Sequence, residues 1–277
     1  MPKQHIGMSK TTKNAATQPR VTPHAVVLAG GRGTRLIPYT SVLPKPLMPI
    51  GDVSILELVV GQLSRAGFKK VTLCVGYLSH LIRAVMDQGA QGISSEREPR
   101  AQIAYVQEQE PLGTAGPLRL VDDLDDAFLV MNGDLLTTLD FAKFMRHHRR
   151  SGDALTIATH VREIEMDYGV VHLDGNKLHP RVSAYEEKPS LISNVSMGIY
   201  ALEPRVLDLI PKKGHFDFPD LIQLLLRKGE TVGSYRYRGL WLDIGRPDDY
   251  AGALEAWNEN KHLLAPTPQS GGSDQSG

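Results

Sequence analysis

The chain has 277 residues, 41% hydrophobic and 22% charged, the proportions of a globular protein able to bury a substantial core. Lys+Arg and Asp+Glu balance at 31 each, so there is no electrostatic footprint of a nucleic-acid or anionic-membrane binder. A single cysteine, Cys74, excludes an internal disulfide and fits a reducing, cytoplasmic compartment, and no apolar run has the length of a membrane span.

Residues 1–23 are polar, lack the apolar middle of a secretory signal and read as a disordered leader. Residues 263–277, rich in Pro, Ser and Gly, read as a disordered tail. The body between them, 24–262, reads as one domain with two halves, 24–150 and 151–262. It opens with the apolar run Ala25 to Ala29, which meets a glycine cluster, and a Pro-rich loop follows from Pro38 to Pro49. Asp52 then stands where an N-cap would, before Leu56, Val59, Val60 and Leu63 at helical spacing. Val71 to Val75 reads as a buried strand with Cys74 as a small core residue. Leu78, Leu81, Ile82 and Val85 mark a second helix, and Ile103 to Val106 a third strand. Residues from Thr114 to Val121 read as helical. Phe128 to Met131 forms a fourth apolar run ending at Asn132-Gly133-Asp134, and Asp140 caps a helix reaching about Arg149. His147 to Arg150 reads as a solvated helix end.

This alternation predicts an α/β, Rossmann-like and mostly parallel sheet with helices on both faces. Ligands of such folds gather beyond the carboxyl ends of the strands, so the glycine cluster and Asp134 should share a crevice. The second half is less regular. Leu155 to Thr159, Gly169 to Leu173, Val182 to Tyr185 and Val195 to Leu202 read as added mixed strands forming a lobe over the crevice. Pro219 to Leu226 and Pro247 to Trp257 read as helices, and Trp241 and Trp257 as core or pocket walls. No hexapeptide period of a β-helix is present.

The segment Leu28-Ala29-Gly30-Gly31-Arg32-Gly33-Thr34-Arg35 carries the strongest chemical signal. Glycines after a buried strand let the backbone approach a ligand and turn its N–H groups toward phosphate oxygens. Leu36 stands where a dinucleotide fingerprint needs its third glycine, and no Gly-Lys-Ser/Thr completes a P-loop. A bare glycine turn therefore stays open for the glycines alone, while Arg35 suits a phosphate chain. In Pro44-Lys45-Pro46 two prolines stiffen the backbone around Lys45, which by itself reads as a Pro-rich loop with a solvated lysine.

LAGGRGTRL followed by PKPLMPIG resembles the sugar nucleotidyltransferases, also called nucleotide-sugar pyrophosphorylases. Further matches follow in order: Glu110 to Gly116, Asn132-Gly133-Asp134, Tyr168 to Val171, Glu187-Lys188-Pro189, Met197 to Tyr200 and Trp241 to Gly245. The resemblance implies an enzyme that joins a nucleoside triphosphate to a sugar 1-phosphate and releases pyrophosphate, with no protein nucleophile. It makes 24–150 the nucleotide-binding half and 151–262 the sugar-binding half. Leu28, Ala29, Gly30, Gly31, Gly33, Thr34, Gly113 and Thr114 would hold the nucleotide. Arg35, Lys45 and Asp134 would be catalytic, the first two on the phosphates. Gly169, Glu187, Lys188 and Gly198 would receive the sugar phosphate. Asp134 and Asp243, each at a strand end, would hold Mg²⁺ against phosphate oxygens, although either alone reads as a loop cap.

By the family's alignment Glu108 stands where pyrimidine-specific relatives carry a glutamine. A carboxylate only accepts hydrogen bonds, which matches the N1–H and N2–H₂ donors of guanine. GTP and a mannose- or heptose-type 1-phosphate are the expected partners, while a solvated-loop reading of the glutamates stays open. Ser196-Met197-Gly198 replaces the Asn-Ala-Gly of many mannose relatives and leaves the sugar open. A glucose-1-phosphate thymidylyl- or uridylyltransferase is the alternative enzyme. A catalytically silent nucleotide-sugar-binding regulator is the alternative from another class. The sequence leaves a homo-oligomer open.

Overall fold

The computed structural model describes residues 23–92, 101–124, 126–175 and 178–265. The expected leader, apart from Pro23, and the tail beyond Ala265 lie outside these residues. The chain runs β1 (His24–Ala29), β2 (Pro49–Ile50), β3 (Val53–Ser54), α1 (Ile55–Arg65), β4 (Lys70–Val75), α2 (Ser79–Gly92), β5 (Gln102–Gln107), β6 (Phe128–Asn132), β7 (Leu135–Thr137) and α3 (Phe141–Ser151). The second half adds β8 (Leu155–Glu165), β9 (Val170–Asp174), β10 (Arg181–Glu186), β11 (Ser190–Leu202), α4 (Phe218–Arg227), β12 (Val232–Tyr237), β13 (Trp241–Asp243) and α5 (Pro247–Leu264).

Seven strands form the central sheet in the order β12-β8-β11-β6-β1-β4-β5. β1 pairs in parallel with β4 and β6, β4 with β5, and β12 with β8, whereas β11 runs antiparallel to both its neighbours. The mostly parallel sheet expected from the alternating pattern is therefore present. A strand covered on both faces must be apolar on both sides, and in β1 Ala25, Val26 and Val27 have no exposed surface. Ala25 and Val27 join one core cluster with Val59, Leu63 and Phe144, while Val26 joins the other with Leu118, Phe218 and Leu225. Cys74 lies in that second core, as read from the sequence, and burial pushes its thiol up to about 12.

Several local expectations shift. Asp52 does not cap α1. Ser54 does, accepting from the Glu57 N–H at 3.2 Å while Glu57 accepts from the Ser54 N–H at 2.8 Å, a reciprocal capping box. A two-stranded hairpin, β2–β3, pushes the helix start two residues further along, and Asp52 instead faces Lys261 at 3.4 Å. Residues 114–121 contain only a short 3₁₀ turn, Gly116–Leu120. His148 is not solvated: its side chain is fully buried, and Nδ1 lies 2.7 Å from Thr156 Oγ1. Asp140 caps α3 as expected, accepting from the Lys143 N–H at 2.8 Å. α5 extends to Leu264, which is fully buried, two residues past the expected end of the body.

β8 and β11 run far beyond the core sheet. Their outer halves pair from Glu165↔Ser190 to His160↔Val195, and the β9–β10 hairpin continues the same ribbon. These are the expected added strands. Among the described residues no helix is long and apolar enough to cross a membrane.

Candidate active site

β1 delivers the chain into the glycine segment at the carboxyl end of the sheet. Gly33 adopts φ +62°, a left-handed conformation that favours glycine, and a Cβ there would also press on Thr40 and Lys45. Thr40 donates to the Gly33 carbonyl at 2.8 Å and closes the loop. Gly30 is needed for a different reason. It lies against Glu108 and Gly76, and a Cβ would clash with Glu108 Oε1 and approach the Gly76 nitrogen to 3.4 Å.

These elements open onto a cavity of about 720 Å³, a size that suits a small organic ligand. Every residue expected to hold the nucleotide lines it: Leu28, Ala29, Gly30, Gly31, Gly33, Thr34, Glu108, Gly113 and Thr114. Arg35, Lys45 and Asp134 line it too. Glu108 sits at the end of β5, one oxygen accepting from the Leu112 N–H at 3.1 Å and the other against Gly30. Burial pushes its carboxyl above the ordinary carboxylate value, an effect that the Leu112 N–H opposes.

Asp134 occupies the turn between β6 and β7, while Asp243 ends β13, whose antiparallel pairing places Asp243 opposite Leu135. Aspartates 109 residues apart in sequence thus come together, and the Lys45 ammonium sits between them. Lys45 donates to Asp134 Oδ2 and lies 3.9 Å from Asp243 Oδ1. The side chains of Lys45 and Asp134 are only 14% and 20% exposed, against 54% for Asp243. Burial, followed by the neighbouring Asp134 charge, raises the Asp243 carboxyl, while Lys45 and Arg35 pull it down. Asp134 Oδ1 is buried and, among the described residues, has no hydrogen-bond partner, a costly state for a carboxylate oxygen unless a ligand or ion meets it.

The residues expected to receive the sugar phosphate divide. Gly198, at φ +70°, lies against Asn132 of the cavity, where a Cβ would come within 2.6 Å of Nδ2. Gly169, Glu187 and Lys188 lie instead along the ribbon, away from the cavity lining. Gly169 packs on the Tyr185 ring, and the Tyr185 hydroxyl donates to Glu187 at 2.5 Å. Lys188 holds φ +44°, an unusual conformation for a side-chain-bearing residue. The structure also adds cavity residues outside the sequence-derived set, among them Asn132, Gly76, Tyr77, His215 and Asp217. Asn132 belongs to a motif already singled out, and Asp217 precedes Phe218-Pro219, a helix-start signal. Neither signal reveals that both face the glycine segment.

The family model described as "Nucleotidyl transferase" matches residues 24–260. The mannose-1-phosphate guanyltransferase of Yarrowia lipolytica is 32% identical over 88% of this chain and 68% of its own length. The UTP–glucose-1-phosphate uridylyltransferase of Synechocystis is also 32% identical, over 83% of this chain and 62% of its own. The chain thus spans about two thirds of the length of these curated relatives. Among solved structures, HddC from Yersinia pseudotuberculosis complexed with GMP-PN superposes with a TM-score of 0.61 at 25% identity, covering 85% of this chain and 99% of that one.

Proposed function

We propose that this chain, which belongs to the nucleotidyl transferase family and is a sugar-1-phosphate nucleotidyltransferase, transfers the guanylyl group of GTP to a mannose- or heptose-type sugar 1-phosphate. One observation carries the mechanism: Lys45 and Asp134 meet at the cavity that the glycine loop lines, Asp243 stands behind them beside Lys45 and outside the lining, and among the described residues the buried Asp134 Oδ1 has no partner.

The reaction brings an anionic phosphate oxygen of the sugar onto the α-phosphorus of the triphosphate, and pyrophosphate departs in line. Attacker and target repel, so the protein's task is alignment and charge neutralisation rather than covalent chemistry. Gly30, Gly31, Gly33 and Thr34 present backbone close to the phosphates. Arg35 and Lys45 supply fixed positive charge beside them. Lys45 is held by two carboxylates and its prolines, so little reorganisation is needed as charge develops.

Two carboxylates and an unpartnered oxygen fit a hard divalent cation such as Mg²⁺, which takes few protein oxygens and completes its shell from water and substrate phosphates. Among the described residues no group of three or more His, Cys, Asp or Glu side chains is placed to hold a metal ion. Asp134 and Asp243 would hold the ion, and bound there it would screen phosphate charge.

Guanine is favoured by Glu108, a hydrogen-bond acceptor in the cavity lining, and by the guanylyltransferase and GMP-PN-bound relatives. Uracil is the second reading, favoured by the equally similar uridylyltransferase. A pyrophosphate-release screen crossing GTP, dTTP, UTP, CTP and ATP with hexose and heptose 1-phosphates tests both. GTP should turn over fastest, with a manno-configured acceptor; faster turnover of UTP or dTTP rejects the guanine assignment.

A further inference from the structure

The turn after Glu108 does not stand alone. Its residues are bound to a segment 103 positions away, at the start of α4. The Ala115 and Gly116 N–H groups both donate to the Phe216 carbonyl, at 3.0 and 2.9 Å, and the Phe216 N–H donates to the Leu112 carbonyl at 2.9 Å. Asp217 Oδ1 accepts from the Thr114 N–H at 2.8 Å and from its hydroxyl at 3.0 Å. The Thr114 hydroxyl in turn accepts from the Phe218 N–H at 2.9 Å. Gly113 holds φ +83°, and a Cβ on it would press on the Phe216 carbonyl and on Asp217 Oδ1.

The arrangement goes beyond ordinary capping. Asp217 and Asp220 form a capping box at the start of α4, the Asp217 N–H donating to Asp220 Oδ2 at 3.2 Å. Asp217 also accepts from Thr114, and Thr114 takes the orphan Phe218 N–H of α4 in exchange. The Phe218 ring stacks on Tyr200 at 3.9 Å between centroids, which anchors α4 to β11 of the central sheet. Asp217 therefore links the turn to the packed second half of the molecule. Both partners face the same cavity as the glycine loop, and His215, with Nδ1 3.7 Å from Asp217 Oδ2, lines it as well.

We infer that Asp217 is a positioning residue for nucleoside recognition: through Thr114 it holds the 112–116 turn in the one conformation that presents Glu108, Gly113 and Thr114 to the base and ribose. The inference rests on the proposed placement of the nucleotide in this cavity, but not on the identity of its base. Charge-assisted bonds to backbone are the strong ones, and their loss frees a turn whose geometry sets ground-state binding rather than the in-line chemistry. The effect should fall on nucleotide affinity and leave the sugar phosphate and the chemical step largely untouched.

The test compares wild type, Asp217→Ala and Asp217→Asn, using whichever of the five triphosphates turns over best. KM for that nucleotide should rise tenfold or more in D217A, while KM for the sugar 1-phosphate and kcat change less than about twofold. Asn, which keeps an acceptor without the charge, should recover part of the loss. Calorimetric titration of GTP into each protein, without sugar phosphate, reads the same loss as weaker binding and needs no turnover. Thermal melts separate a merely structural role. A lowered melting temperature with nucleotide affinity unchanged, or with both KM values raised alike, overturns the inference. A best substrate other than GTP rejects the guanine reading and leaves the KM comparison intact.

Discussion

Gly30→Ala isolates the contact between the glycine loop and the residue assigned to the base. Gly30 does not lie in the left-handed region, so alanine's backbone is permitted there and gains slightly over glycine in the unfolded-state balance. The conflict is confined to one place: the new Cβ clashes with Glu108 Oε1 and reaches 3.3 Å from its Cδ. A carboxylate at the end of a flexible side chain can move by roughly 1 Å to restore ordinary contact distances. Moving it breaks the 3.1 Å bond from the Leu112 N–H, an interaction worth about 1.5–3 kcal/mol for a charged acceptor. If that energy is expressed in nucleotide binding, KM for GTP rises about tenfold or more, since about 1.4 kcal/mol is one decade. Melting temperature should change little, and Glu108→Ala should remove the sensitivity, so that the double mutant resembles E108A alone. Steady-state kinetics on the four proteins measures the coupling. Additive losses in the double mutant, or an unchanged KM in G30A, would refute the idea that Gly30 exists to admit Glu108.

Asp134→Ala and Asp243→Ala should each lower Mg²⁺-dependent kcat by about a thousandfold or more with folding retained on circular dichroism, and near-normal turnover in either removes that residue from the ion site. His148 gives a pH signature. Burial holds its imidazole down to about 4 from an ordinary 6.5, so the unfolded chain binds a proton between these values that the folded chain does not. Stability is then full above pH 6.5 and falls as pH drops toward 4, by up to about 3 kcal/mol, the Asp153 carboxylate already opposing part of the burial effect. Urea unfolding at pH 7 and pH 5, beside an NMR titration of the imidazole, checks both sign and size; a titration near 6.5 contradicts it. Cys74, with its thiol pushed up to about 12 by burial and then by the Glu108 charge, should resist iodoacetamide at pH 8 in the folded protein and react in urea.

The sequence by itself determined the strands of the parallel sheet, because an uninterrupted apolar run is what a strand covered on both faces requires. Val71 to Val75 and Phe128 to Met131 needed no knowledge of their neighbours. The candidate site residues came from the ordered resemblance to a family, since the glycine turn and the proline-braced Lys45 each had a bland reading on their own. Short strands such as β7 and β13 carry too few residues to show a period. Yet their pairing is what carries Asp243 to Asp134, so the carboxylate pair could be named from sequence but its meeting at Lys45 could not. Asp52 and Ser54 show the limit of local signals, for both are competent caps and only the β2–β3 hairpin chose between them. His148 read as solvated because its neighbours in sequence are charged, whereas burial is decided by Thr156 and the strand behind it. Asp217 is the extreme case: it is a helix cap by sequence and in the structure, and its further bond to Thr114, 103 residues away, depends on long-range packing that no local signal carries. Local chemistry is written in order along the chain, but which groups share a cavity depends on long-range packing, and that the tertiary structure alone decided.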